Sequence, residues 1–342
     1  MNFLKLKLQL FAETVINTTN TETLSAENKI FYDKVLIREA SANLVHGQFG
    51  QKRPIPKNGG KTIEFRKFDS LPKALTPITE GVTPEGNKLS VTSITASIKQ
   101  YGDYIVQSDI LDLTAIDNTI VEATIVLGNQ AGATLDTIDR EVLNSGTNVV
   151  YAPKVGADGK KTVVTSRAAL DVTSALTVDL VKKCVTFLKA VNAPKIDGYY
   201  VGIIHPHVSY DLSTDPKWME VEKYASPENM LTGEIGKIAG VRFVESTEAK
   251  IFTTAGGASD CPDGLAVYST LFLGANAYGT TEVEGGGLRT IVKQLGSGGT
   301  SDPLEQRSSV GWKAIRATEI LLDQYIVRCE SCGDFSDMAE AN

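Results

Sequence analysis

The stretch "DNTIVEATIVLGNQAGATLDTIDREVL", residues 117–143, decides how the rest of the chain is arranged. Ile120, Leu127, Ala131, Leu135, Ile138 and Val142 recur at three- to seven-residue steps, which puts them on one face of a helix. Asp117 or Asn118 is suited to cap its start. At 1.5 Å per residue the helix is ~40 Å long. Gly128 and Gly132 lie one turn apart inside it, as expected where another backbone packs close.

Upstream, residues 13–25 are polar and rich in Thr and Asn and read as part of an N-terminal arm over residues 1–24. A helix is predicted from Ser25 to His46, inside a segment that runs to residue 50 and ends at Gly47 and Gly50. Residues 51–88 then carry prolines at 54, 56, 72, 77 and 84, turn glycines, and short alternating runs such as "KTIEFRKF". They read as an extended two-stranded hairpin with limbs of ~18 residues, reaching ~60 Å at ~3.3 Å per residue. An isolated hairpin of that length is unstable in water and must lie on something, most simply a neighbouring subunit. Residues 89–109 alternate as a strand, with Ile94, Ala96 and Ile98 on one side.

Downstream of the long helix, residues 145–176 read as loop, with a turn at Asp158-Gly159. A second helix is predicted over residues 177–191, with Leu180, Cys184, Phe187, Leu188 and Val191 as its apolar stripe. "YYVGII" reads as a buried strand that Pro206 breaks, "HVSYDL" as a short helix, and "GVRFVES", "LAVYSTLFLG", "LRTIVKQLG", "RSSVGWKAIRA" and "EILLDQYIVRCE" as strands. Gly-Ser-Gly-Gly at 296–299 is a flexible tip. Long helices beside mostly antiparallel strands indicate the α+β class.

Composition narrows the function. The chain has 342 residues and a formal charge of −7, so it has no global positive field to hold nucleic acid. No stretch approaches the ~18 apolar residues needed to span a membrane, and the opening "MNFLKLKLQLFAE" lacks a cleavage site, so export by a signal peptide is not expected. "GADGKKT" lacks the spacing of a phosphate-binding loop. Of the four cysteines, Cys184 reads as core, and Cys329 and Cys332 form a CxxC without the second ligand pair that a zinc site needs. Glu282 and Glu284 read as a solvated turn, and Trp218 and Trp312 as anchors at packing boundaries.

The chain has three histidines. His46 is expected to close the N-terminal helix, and His205 and His207 flank Pro206. In extended backbone His205 and His207 would point the same way, which makes a metal-dependent enzyme the alternative function, with Asp211 the nearest carboxylate. The favoured reading is a strand-to-helix corner. No catalytic, cofactor-binding or metal-binding residue is assigned, and no cofactor is expected.

The order of features resembles the major capsid proteins of tailed double-stranded DNA phages with the Hong Kong 97-like fold, and more closely their N4-type group. The stretches that carry this are "TEGVTPEGNKLSVTSITASIKQYGDYIVQSD", "YYVGIIHPHVSYDL", "GEIGKIAGVRFVES" and "SDPLEQRSSVGWKAIRATEILLDQYIVRCES", with "LQLFAE" near the start. The resemblance implies an extended loop over 51–88, a peripheral domain over 89–176 with its spine helix at 117–143, an axial domain over 177–300, return strands over 301–330 and a polar tail over 331–342. It implies a non-enzymatic protein, assembled in the host cytoplasm. Hexamers and pentamers of it would form an icosahedral head around the genome. Its partners would be copies of itself, then portal, scaffolding and decoration proteins. Packaged DNA would be touched non-specifically if at all, and no membrane is involved. Some such proteins cross-link loop lysines to asparagines. Lys61, Lys67 and Lys73 lie in the hairpin, but no matching acid and asparagine can be assigned. A tail-tube subunit is the second alternative; it would have no need of the long helix.

Overall fold

The computed structural model describes residues 34–342 except 41–43, 69–70, 79, 82, 84–85, 115–118, 157, 219–236, 255–259, 263, 296 and 298–301. The arm, the helix start expected at Ser25, the cap expected at Asp117 or Asn118, and most of the 296–299 tip lie outside the described residues.

Residues 34–40 are helical (α1), and β1 (Gln51–Lys52) follows a turn. β2 (Thr62–Phe68) and β3 (Val91–Ser97) pair as an antiparallel hairpin, and β4 (Lys99–Ser108) leads into α2 (Asp109–Thr114) and the long α3 (Thr119–Asn144). β5 (Val149–Tyr151), β6 (Lys154–Val155) and β7 (Lys161–Thr162) precede α4 (Val178–Ala190). β8 (Tyr200–Ile204) then turns into α5 (Pro206–Thr214). The remaining strands are β9 (Lys237–Ile238), β10 (Val241–Glu245), β11 (Ile251–Phe252), β12 (Val267–Leu273), β13 (Tyr278–Thr281), β14 (Arg289–Lys293), β15 (Arg307–Ile320) and β16 (Ile326–Ser331). The α+β expectation is met, as are the long helix, the α4 segment and the strand-to-helix corner at Pro206.

Two sheets carry the fold. The first is built on the 14-residue β15, which pairs with β4 along one edge and with β14 and then β13 along the other. α3 lies across it, with Leu127, Ala131 and Leu135 packed against Val310, Trp312 and Ala314. Gly128 lets α1 pass: a Cβ there would sit 3.0 Å from the Leu36 carbonyl oxygen and from Glu39 Cβ. The close backbone approach expected at this glycine is therefore found.

The second sheet runs β5-β16-β12-β8-β10-β9, with β11 also on β12. Its centre is covered on both faces. Tyr200 and Ile204 of β8 enter one core with α4 and α5, while Val201 and Ile203 enter another with Leu143 and Tyr278. This explains why "YYVGII" is a continuous apolar run with no alternation.

Several expectations are corrected. The hairpin limbs are seven residues each, so they reach ~23 Å rather than ~60 Å. Its return limb is residues 91–97, expected with the peripheral strand, while residues 51–55 are pinned to the body by β1 on β13 and by Ile55 beside Val283. β5, expected with the long helix, pairs with β16, and β16 itself lies in the second sheet although it was expected with the return strands. The reason is local. Leu321 and Leu322 both donate to the Ala277 carbonyl, and a tight turn at Asp323–Tyr325 swings the chain from one sheet to the other. In α4 the buried stripe is Leu180, Val181, Cys184, Val185 and Leu188, while Phe187 and Val191 face outward. The expected polar tail packs down: Cys332 and Ser336 are buried, and the Asn342 side chain bonds the backbone at Thr247, Ala249 and Ile251.

Candidate assembly surface and the buried polar frame

The β2–β3 hairpin has a packed base and an unpacked end. At the base, Phe65 and Ala96 meet Ala317, with Ile63, Ile98 and Leu321 around them. Gly279 makes room, since a Cβ there would come within 2.7 Å of the Phe65 ring. Ile98 N donates to the Lys61 carbonyl at 3.0 Å, which continues the pairing toward the body. Beyond Phe68 the connection offers Leu71, Leu75, Ile78 and Leu89 to solvent, with Leu75 82% exposed and Ile78 76%. Scattered exposed apolar residues are ordinary, but a run of them on one protruding segment marks an interaction surface.

Behind the hairpin, a set of buried charges that the sequence reading missed ties distant segments together. His46 does not cap the helix as expected. It is fully buried, and its Nδ1 donates to Asp136 Oδ2 at 2.7 Å. Asp136 Oδ1 also accepts the backbone N–H groups of Val45 and His46, so this carboxylate of α3 ties down the chain leaving α1. One turn on, Asp139 accepts from Arg316 Nε at 3.0 Å and from Arg316 Nη2 and Thr318 Oγ1, while Arg316 Nη1 reaches Glu282 Oε1 at 3.1 Å. Glu282 is thus a paired residue and not simply part of a solvated turn. Asp136, Asp139 and Arg140 all lie on the face of α3 where an apolar stripe was expected to continue. A charge on that stripe is the only signal by which sequence alone could have found them.

His205 and His207 face the interior of their own subunit. His205 Nδ1 accepts the His207 N–H at 3.1 Å and so caps α5. His207 Nδ1 lies 2.8 Å from the Tyr268 hydroxyl, and its ring stacks on Phe335 of the C-terminal segment at 4.7 Å. Among the described residues no three His, Cys, Asp or Glu side chains stand close enough to share a metal ion. Burial, helped by His207, lowers the His205 pKa to about 4. Burial raises that of Asp211 to about 6, with the Asp334 carboxylate adding to the rise and the Asp334 N–H opposing it.

These two shifts act in opposite directions on stability. Folded Asp211 holds its proton more tightly than the unfolded chain does. Its contribution is therefore full below about pH 3.8 and is lost as pH rises through about 6. The contribution of His205 is full above about pH 6.5 and is lost as pH falls through about 4. Asp211→Asn removes only the first. It is expected to stabilise the fold at pH 7 by on the order of 1 kcal/mol, after discounting for a half-exposed carboxyl, and to give no gain near pH 4. Urea unfolding of both proteins across that range tests this, and a gain that does not vary with pH would contradict it.

The four cysteines are free and buried, and Trp218 and Trp312 are both buried, with Trp312 Nε1 donating to Gln130 of α3 at 3.2 Å. The profile of the family described as phage capsid protein matches residues 109–295, more than half of the chain. The chain belongs to that family. Solved structures carry the same fold across nearly the whole of this capsid protein. The capsid of cyanophage P-SCSP1u is 14% identical with a TM-score of 0.62, over 84% of this chain and 87% of that one. The capsid of Ralstonia phage GP4 is 15% identical with a TM-score of 0.62, over 84% and 87%. The capsid of cyanophage Pam1 is 14% identical with a TM-score of 0.62, over 86% and 93%. The fold of this capsid protein is the Hong Kong 97-like one. No curated protein matches it.

Proposed function

We propose that this capsid protein is the major subunit of an icosahedral phage head, acting by self-association and without catalysis. The lobe made of α3 and the first sheet is the peripheral domain, the lobe made of α4, α5 and the second sheet is the axial domain, and the hairpin is the extended loop. Hexamers and pentamers close through that loop, and the finished shell is the virion wall around the genome. The observation that carries this reading is the exposure of Leu71, Leu75, Ile78 and Leu89 between β2 and β3, which have little cover in the single chain. A surface of this kind gains its burial only between copies. The acidic chain suits a wall that need not grip densely packed DNA. Electron microscopy of the purified protein tests the reading. Closed shells or rings of five and six are the expected result, and tubes, or monomers at all concentrations, would overturn it.

A further inference from the structure

The root of the hairpin encloses a pocket of about 210 Å³ that belongs to two parts of the chain at once. One wall is the hairpin. Phe65 of β2 and Ile94 of β3 are paired across the strands, so their side chains share a face, and Lys67 follows on that face by alternation. The other wall is the body, made of Arg53, Asn276, Leu321 and Leu322. Its backbone is pinned on both sides of the pocket. Arg53 N donates to the Thr280 carbonyl at 3.1 Å, Ala275 N to that of Pro194 at 2.8 Å, and the N–H groups of Leu321 and Leu322 to that of Ala277 at 2.9 Å.

The pocket is cationic and not neutralised. Of the residues that line it, Arg53, Arg66 and Lys67 are charged and none is an acid. Arg66 is engaged, with its Nη2 3.5 Å from Glu64 Oε2. Among the described residues, no ion pair forms at Arg53 or Lys67. The Arg53 guanidinium carbon lies 5.8 Å from the centre of the Phe65 ring. Residues 51–68 as a whole carry six cations against one acid, in a chain of charge −7. Like charges gathered at an apolar wall repel one another, and the repulsion is stronger there than in open water. An anion between them relieves that cost and accepts charge-assisted hydrogen bonds from both. The side-chain amides of Gln51 and Asn276 stand on the same rim. A tetrahedral oxyanion can turn separate oxygens to a guanidinium, an ammonium and an amide at once, whereas a carboxylate has only two, in one plane.

We propose that this pocket binds a small phosphate-class oxyanion, which bridges Lys67 of the hairpin to Arg53 of the body and so fixes the hairpin at its root. The site is complete within one chain and does not depend on the shell reading.

Inorganic phosphate titrated calorimetrically into the full chain at constant ionic strength tests this. The expected result is one saturable site per chain, with a rise in Tm of about 2–4 °C once phosphate is roughly tenfold above its Kd. Arg53→Gln with Lys67→Gln weakens binding by roughly tenfold or more and leaves the urea midpoint without phosphate unchanged, while Lys67→Arg keeps the charge and keeps the binding. Phosphate also slows amide exchange in residues 62–68 at fixed pH. No saturable site, equal binding of acetate, or undiminished binding by the double variant overturns the assignment, as does a short DNA duplex that outcompetes phosphate for the pocket. Binding that leaves exchange in residues 62–68 unchanged overturns the bridge.

Discussion

Replacing residues 69–90 with a two-residue Asn-Gly turn is expected to give folded, soluble subunits that form no shells. Phe68 and Val91 are the last pair of the hairpin, so a two-residue turn closes the ladder without disturbing it. The packed base at Phe65, Ala96 and Ala317 is untouched, and the body should unfold as before. What is lost is Leu71, Leu75, Ile78 and Leu89, all exposed in the single chain. Covering each in a neighbour is worth about 1.5–3 kcal/mol, so the four together contribute about 6–12 kcal/mol before ordering costs. Losing even half of that weakens each contact by a factor of a hundred or more, by roughly 1.4 kcal/mol per tenfold. The loss repeats at every contact in a ring. Sedimentation velocity and electron microscopy measure it, and normal shells from the shortened chain would refute the role given to the hairpin.

Arg316→Met is expected to cost the monomer about 3–5 kcal/mol, because it leaves the Asp139 carboxylate fully buried and without its cation. Adding Asp139→Leu removes the stranded charge, and most of the stability should return, since a buried pair replaced by apolar groups is often close to neutral. Urea unfolding with an unchanged slope is the measurement. A double variant no better than Arg316→Met would show that the ion pair is not what the single change disturbs.

The two predictions concern parts of the chain that were unequally legible. Residues 117–143 announced a helix by period, and 200–204 a buried strand by unbroken apolarity, because both signals are local and survive without a partner. The hairpin was legible as an excursion, from its prolines and its thin apolar content, but its limbs were drawn too long. Strand pairing begins and ends where the partner is, and the partner of 62–68 lies 29 residues on, at 91–97. The buried charges on α3 were the least legible. Asp136 and Asp139 have no visible partner in the sequence, because His46, Arg316 and Thr318 are brought to them from 90 to 179 residues away.

By itself the sequence determined the class of the protein, the long helix, the corner at Pro206 and the protruding hairpin, all of which depend on periods and turn residues within one segment. Only the tertiary structure decided which sheet β5 and β16 join, that the histidines pack inward against Tyr268 and Phe335, and that Arg53 and Lys67 share a pocket at the hairpin root. These are matters of which distant residues share a surface. A single strand carries its own alternation but no record of the edge it will meet, so that information appears only when the strands are laid side by side.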